Sequence, residues 1–312
     1  MNEIPKWHFS MLNDVSRNES FARAISKQVS GEHKVVDIGA GTGLLSLIAR
    51  DNGAATVDAF EANEAMAQIA QRVISNADVE EHISLHRTHS TNINLRANER
   101  KNFLLTETFD CALIGEGILP TLRHARKYLL ESKYKAIPAR GTLLGCLLSS
   151  PEIRRLNEVS SASGIDVSEL NRLQTRGHFP VRLETWQHEF CSQPAELFTL
   201  DLLKEPPGDG AYKIPVTATK TALVDGVVAW FELDLGAGEV VSNSPGTLSH
   251  WMQAFIPLPR PVQVTADQQF ILSLEIHDQT KFAATGLRPL ANASQDSAST
   301  LSSTNQGMRT SA

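Results

Sequence analysis

The chain reads as an α/β protein in two unlike halves, and three observations predict this. Short apolar strands alternate with amphipathic helices up to about residue 130, a rhythm that implies a parallel sheet covered on both faces. A glycine-rich turn joins the first strand to the next helix. After Pro138 the helices thin out and period-two strands dominate, which implies antiparallel β structure. In order, residues 15–29 form a helix with Phe21, Ala24, Ile25 and Val29 on one face, closed by Gly31. Lys34–Ile38 is a buried strand and Leu44–Asp51 a helix ended by Asn52-Gly53. Strand Ala55–Phe60 and helix Glu64–Ser75 follow, then strands at Ile83–Leu85 and Phe109–Ile114 and a helix at Thr121–Leu130. The second half carries strands at Thr142–Leu148, Val216–Val224, Val227–Leu235 and Phe270–Ile276. Helical stretches at Ile153–Val159 and Val167–Leu173 mark residues 151–180 as an insertion, either a dimer contact or a surface excursion. From about Gly286 the chain is Ser-, Thr-, Asn- and Gln-rich, the composition of a disordered tail.

The 312 residues are enough for two domains and a sizeable core. A net charge of -6 argues against broad nucleic-acid binding and suits basic partners. No run is long and apolar enough for a membrane helix, and no secretory leader is visible in Met1–Trp7. Three cysteines without ligand spacing suggest reduced thiols in cytoplasm or nucleus and no metal site.

Val35-Val36-Asp37-Ile38-Gly39-Ala40-Gly41-Thr42-Gly43 is a strand, a glycine turn and a helix start. Glycines let the backbone turn tightly and approach a ligand closely. Leu44 stands where a dinucleotide fingerprint needs its third glycine, and Asp37 precedes the first, a pattern that favours S-adenosyl-L-methionine over NAD. Glu61 ends the second strand, where a carboxylate accepts from two ribose hydroxyls or is simply a solvated strand end.

Two acids dominate the run Thr106-Glu107-Thr108-Phe109-Asp110-Cys111-Ala112-Leu113-Ile114-Gly115-Glu116-Gly117. Carboxylates among apolar residues are costly unless a cation lies between them. A planar guanidinium, always charged and rich in N–H donors, is the natural guest.

On four blocks in order, the chain resembles the protein arginine methyltransferases, most of all their monomethylating branch. Trp7–Asn18 resembles the N-terminal helix motif, Asp37–Gly43 motif I, Glu107–Glu116 the double-E loop, and Ser249-His250-Trp251-Met252-Gln253 the threonine-histidine-tryptophan loop. The resemblance implies a Rossmann-like class I methyltransferase domain with an N-terminal helix over 1–137. It implies a β-barrel substrate domain over 138–285, with 286–312 as the tail. Arg17 would pair with the cofactor's methionine carboxylate and Met11 would pack near its sulfonium. Asp37, Gly39, Gly41 and Gly43 would bound the methionine end, Glu61 the ribose, and His89 or Ser90 the adenine. Glu107 and Glu116 would clamp the acceptor guanidinium, His250 would pair with Asp14, and Trp251 would face substrate. Ser249 departs from the family's threonine and keeps a hydroxyl; Phe21 replaces a frequent tyrosine and loses one. Arginine-containing protein segments, Arg-Gly-rich or basic, are the implied partners, with monomethylarginine as product and symmetric dimethylarginine as the alternative. A single module of this kind implies a homodimer. The rival reading is a small-molecule methyltransferase on the same fold.

Overall fold

The computed structural model describes residue 4 and residues 6–290. Two helices, α1 (Trp7–Leu12) and α2 (Val15–Gln28), precede the first sheet. Asp14 starts α2, its carboxylate accepting from the Arg17 backbone N–H at 3.1 Å. Arg17, Ser20, Phe21, Ala24 and Ile25 then recur at helical spacing and form the buried face.

The first sheet is built from β1 (Lys34–Ile38), β2 (Thr56–Phe60), β3 (Ile83–His86), β4 (Lys101–Thr106) and β5 (Leu130–Ile137). Its order is β3-β2-β1-β4-β5 and every pairing is parallel. Helices α3 (Leu44–Asp51), α4 (Glu64–Asn76) and α5 (Ile118–Tyr128) link the strands. The strand order reverses between β1 and β4, so the loops leaving these neighbours diverge and open a crevice, the usual ligand position in such sheets.

One strand is displaced from its expected place. The fourth strand is Lys101–Thr106, and Phe109–Ile114 is a buried turn. Leu113 has a φ of 78°, incompatible with a strand. Asp110 Oδ1 accepts from the N–H groups of Ala112 and Gly115 at 3.2 and 2.7 Å, folding the segment on itself. The apolar residues there are buried by the second half of the chain, and burial alone does not separate a strand from a packed turn.

Beyond Pro138 lie β6 (Arg140–Ser149), α6 (Pro151–Arg154), the hairpin β7 (Ser161–Ala162) and β8 (Ile165–Asp166), a 3-10 turn at Ser168–Leu173, and β9 (Phe179–Val181). The two helical stretches expected in 151–180 therefore shrink to one α-turn and one 3-10 turn. Ser163 and Gly164, both at positive φ, place a tight hairpin between them. Next come β10 (Glu189–Phe190), β11 (Ala195–Asp201), β12 (Gly210–Thr217), β13 (Ala222–Gly236), β14 (Glu239–Ser242), β15 (Gln253–Val264), β16 (Gln269–His277) and β17 (Lys281–Pro289). The expected strand Val216–Val224 is in fact the junction of β12 and β13 around a turn. One sheet runs β10-β6-β13-β15-β9, with β11 on β6 and β14 on β13; the other is β12-β16-β17. All pairings in both are antiparallel. Strand β17 lies against β15 and β12 against β11, so the two sheets share one core. Strand β17 extends to Pro289 with Leu287 buried, three residues past the expected start of the tail at 286; residues 291–312 lie outside the described region. Among the described residues no helix is long and apolar enough to cross a membrane.

Candidate active site

A cavity of about 670 Å³ opens at the carboxyl ends of β1, β2 and β4. Met11, Arg17, Gly39, Gly41, Glu61, His89, Ser90, Glu107, Glu116, His250 and Trp251 line it. Asp14, Asp37 and Gly43 stand one layer back: Asp14 is bonded to His250, and Asp37 and Gly43 flank the glycine turn.

The glycine turn is fixed by both its neighbours. The N–H groups of Gly39 and Ala40 donate to the Phe60 carbonyl at 3.0 and 2.9 Å. Gly39 has a φ of 78°, and a side chain there would collide with Thr108 of the facing loop. Glu61 closes the turn from the other side: Oε2 accepts from Gly41 N–H at 2.9 Å and Oε1 from Asn63 N–H at 2.7 Å. Asp37 is buried and accepts from the Ser46 hydroxyl at 2.6 Å; burial pushes its carboxyl up to about 6.

Four buried polar atoms in this region have no hydrogen-bond partner among the described residues: His8 Nδ1, Arg17 Nε, Asp37 Oδ1 and Ser90 Oγ. Buried polar groups are normally hydrogen-bonded, so this distribution fits a large ligand with polar groups along its length. The residues present therefore fit a nucleoside carrying an amino-acid chain, which is what S-adenosylmethionine is.

Arg17 and Glu107 make a buried ion pair, with Nη2 donating to Oε2 at 2.5 Å and side-chain exposures of 4 and 7%. Nη1 donates to Asn18 at 2.8 Å, and the guanidinium carbon lies 4.9 Å from the centre of the Phe21 ring. Burial pushes Glu107 above the usual carboxylate range, and Arg17 pulls against it. Among the described residues, Glu116 has no such cation. Burial first, then repulsion from Glu107, Asp110 and Glu61, raises it to about 7. Glu61, Glu107, Asp110 and Glu116 all line the cavity, and Arg17 is the one lysine or arginine among its lining residues. The site carries an excess of negative charge.

Asp14 joins the two halves of the chain. Its Oδ2 accepts from His250 Nδ1 and from the His250 backbone N–H, both at 3.0 Å. Burial works against the carboxylate, but these bonds and that from Arg17 N–H hold Asp14 below its ordinary range. Burial keeps the His250 imidazole low and therefore neutral. With Nδ1–H donating to Asp14, Nε2 carries the free lone pair. Trp251 is buried, its Nε1–H donating to the Phe109 carbonyl at 3.1 Å, and its ring packs edge-on against Phe231. Asn243 adds a second tie, from Nδ2 to the Cys111 carbonyl at 3.3 Å. Asn243, Asp110 and Ser46 were not among the residues expected from the sequence: Asn243 acts on Cys111 and Asp110 on His178 across long stretches of chain, and Ser46 is one of many serines until the fold sets it against Asp37.

Residues 150–285 match the family described as "Arginine methyltransferase oligomerization subdomain", and residues 21–105 match "Ribosomal protein L11 methyltransferase (PrmA)". An "Arginine N(omega)-methyltransferase" of Streptomyces achromogenes subsp. streptozoticus is 41% identical over 280 residues, covering 89% of this chain and 78% of that protein. The human protein arginine N-methyltransferase 9 is 31% identical over 82% of this chain, which spans 34% of that relative. The Oryza sativa subsp. japonica protein arginine N-methyltransferase 7 is 28% identical over 88% of this chain, which spans 44% of it. In fold, the chain is similar to the Trypanosoma brucei PRMT1 enzyme–prozyme heterotetrameric complex with AdoHcy, with a TM-score of 0.74, 21% identity, and coverage of 86% of this chain and 87% of that one.

Replacing Arg17 with Met leaves Glu107 buried without its cation. Stability should drop by about 3–5 kcal/mol; a denaturation midpoint equal to wild type would show that the pair contributes nothing. Glu116 gives a pH signature. Its folded pKa of about 7 lies above the ordinary value of 4.5, so the folded state binds the extra proton and stability falls as pH rises from about 4.5 through 7. Glu116→Gln should therefore melt higher than wild type above pH 7, with the two curves meeting below pH 4.5. Parallel curves at all pH values would remove the perturbed carboxyl from the account. The chain belongs to the protein arginine N-methyltransferase family, enzymes that use S-adenosyl-L-methionine.

Proposed function

We propose that the protein transfers a single methyl group to a terminal guanidino nitrogen of arginine, giving monomethylarginine, with Arg-Gly-rich or basic protein segments as acceptors. The observation that carries this is the cavity's carboxylate excess: Glu107 is matched by Arg17, and Glu116 is left to receive a cation. When bound, S-adenosylmethionine supplies a methyl group on a positively charged sulfur, electrophilic toward a nitrogen lone pair. Glu61 would hold its ribose, Arg17 its carboxylate, and His89 and Ser90 its adenine edge, while Asp37, Gly39, Gly41 and Gly43 shape the methionine end. Met11 packs beside the reacting region.

Glu116, with Glu107 behind it, orients the acceptor guanidinium and draws positive charge away from the nitrogen that is to react. Orientation of this kind contributes roughly 7–11 kcal/mol in favourable cases. Fixed carboxylates also stabilise charge as it redistributes. The product must shed a proton. Glu116, near neutrality in pKa, and the neutral His250 held by Asp14 are the two groups suited to take it.

A second reading takes arginine itself, as a free amino acid, for the acceptor. What favours it is the 41% identical bacterial "Arginine N(omega)-methyltransferase", named for arginine itself, against which this chain aligns over most of both lengths. The protein arginine N-methyltransferase 9 and 7 relatives run to more than twice this chain's aligned span.

The insertion supports a homodimer. Ile165, Leu170 and Leu173 are 68, 60 and 83% exposed, large apolar side chains on one short excursion within the matched oligomerization subdomain.

Labelled S-adenosylmethionine offered in parallel with an Arg-Gly-rich peptide and with free L-arginine tests the acceptor. Monomethylarginine in the peptide is the expected product; label only in the free amino acid would favour the second reading, and a symmetric dimethyl product would correct the product type. Glu107→Gln and Glu116→Gln should each lower turnover at least about a hundredfold with cofactor binding retained, whereas wild-type turnover in both would discard the clamp. Light scattering should give twice 34.1 kDa for the wild type and 34.1 kDa for the Leu170→Asp/Leu173→Asp double variant. A monomeric, fully active wild type would refute the dimer.

A further inference from the structure

His178 lies outside the cavity lining, yet it touches the loop that carries both glutamates. Its backbone N–H donates to the Phe282 carbonyl at 2.8 Å, and its Nδ1 accepts from the Phe282 N–H at 3.1 Å. Phe282 is fully buried in β17 and packs against Phe198. The ring is therefore clamped to the second half of the chain by two bonds to one residue. Because Nδ1 is an acceptor, the neutral ring carries its proton on Nε2. That N–H points at Asp110 Oδ2, 2.7 Å away, and the His178 side chain is only 5% exposed.

The other oxygen of Asp110 accepts from the N–H groups of Ala112 and Gly115. Gly115 directly precedes Glu116, and any side chain at Gly115 would overlap the Asp110 carboxylate. A continuous chain of contacts thus runs from β17 through His178 and Asp110 to the peptide that presents Glu116. Asp110, Cys111 and His178 also resemble a metal-ligand cluster by proximity. The tautomer argues against one: Nε2 is the nitrogen that faces the cluster, and it is a donor here, with no lone pair to offer an ion.

We infer that His178 is a positioning residue for this enzyme: it locks Asp110, and through Asp110 the backbone before Glu116, so that the second carboxylate meets the acceptor guanidinium in register. This role rests on the reading of Glu116 as part of the guanidinium clamp. His178 does not touch substrate or cofactor; it acts through Asp110 alone. Misplacement of a catalytic group by about 1 Å costs on the order of a hundredfold in rate, so a lost latch is readable in kcat.

Three variants separate a latch from a merely structural histidine. His178→Leu removes the donor; kcat should fall at least about tenfold with the dissociation constant for S-adenosylhomocysteine unchanged, because the glycine turn and Glu61 do not depend on His178. His178→Gln places an amide N–H where Nε2–H stood and should recover most of kcat. Asp110→Asn keeps an oxygen for Ala112 and Gly115 but turns a donor toward a donor, and should lose kcat even if His178→Leu fails to fold. Wild-type kcat in His178→Leu, or a His178→Gln variant no better than the leucine, would overturn the latch. The imidazole ¹⁵N spectrum gives a readout free of substrate. A ring protonated on Nε2 is expected, whereas protonation on Nδ1 alone would overturn the latch even in an active enzyme. If the wild type methylates no arginine acceptor while the ring is protonated on Nε2 and the resonance of that N–H shifts in Asp110→Asn, where its acceptor is lost, the functional reading has failed and the contact between His178 and Asp110 has not.

Discussion

A buried guanidinium organises this site. Arg17 reaches from α2 to Glu107 at the end of β4, so helix and loop are held where the sheet's strand order reverses. Removing two charges from water is expensive, and the contact offsets that cost only while both partners are present. The pair therefore fixes the distance between the N-terminal helix and the acidic loop. It also neutralises one glutamate from within the protein, which makes the cavity's surplus of negative charge depend on Glu116 and its neighbours.

The acidic loop belongs to the parallel sheet in sequence and to the antiparallel half in contacts. Trp251 holds the carbonyl of Phe109 and Asn243 that of Cys111, while Asp14, at the start of α2, accepts twice from His250. All of these bonds cross the division between the halves, each with its donor in the second half and its acceptor in the first. Neither half alone presents the site: one supplies the carboxylates and the glycine turn, the other supplies the walls that desolvate them. Desolvation is what raises Glu116 toward neutrality and keeps His250 uncharged.

Much of the first sheet was legible because its signals are local. Lys34–Ile38 is apolar and bounded by turn residues, and Leu44–Asp51 begins after glycines and ends at Asn52-Gly53, so both limits coincide with the structure. Phe109–Ile114 misled because its burial comes from distant strands; nothing in so short an apolar run distinguishes a strand from a turn packed beneath Trp251. The 151–180 segment misled in the opposite direction. Its helical spacing is too short to persist, and Ser163-Gly164 turns the chain instead.

By itself the sequence determined which chemistry is available. The glycine spacing, the acid after β2, the paired glutamates and the His-Trp block are short-range patterns, and each carries its own physical meaning. Only the tertiary structure decided how those groups partition their charges. That Glu107 faces Arg17, that Glu116 meets no cation among the described residues, and that Asp110 is held by His178 across 68 residues of chain all depend on which distant atoms share a dry interior. Electrostatic energies grow as water is excluded, and exclusion is a property of the packed fold.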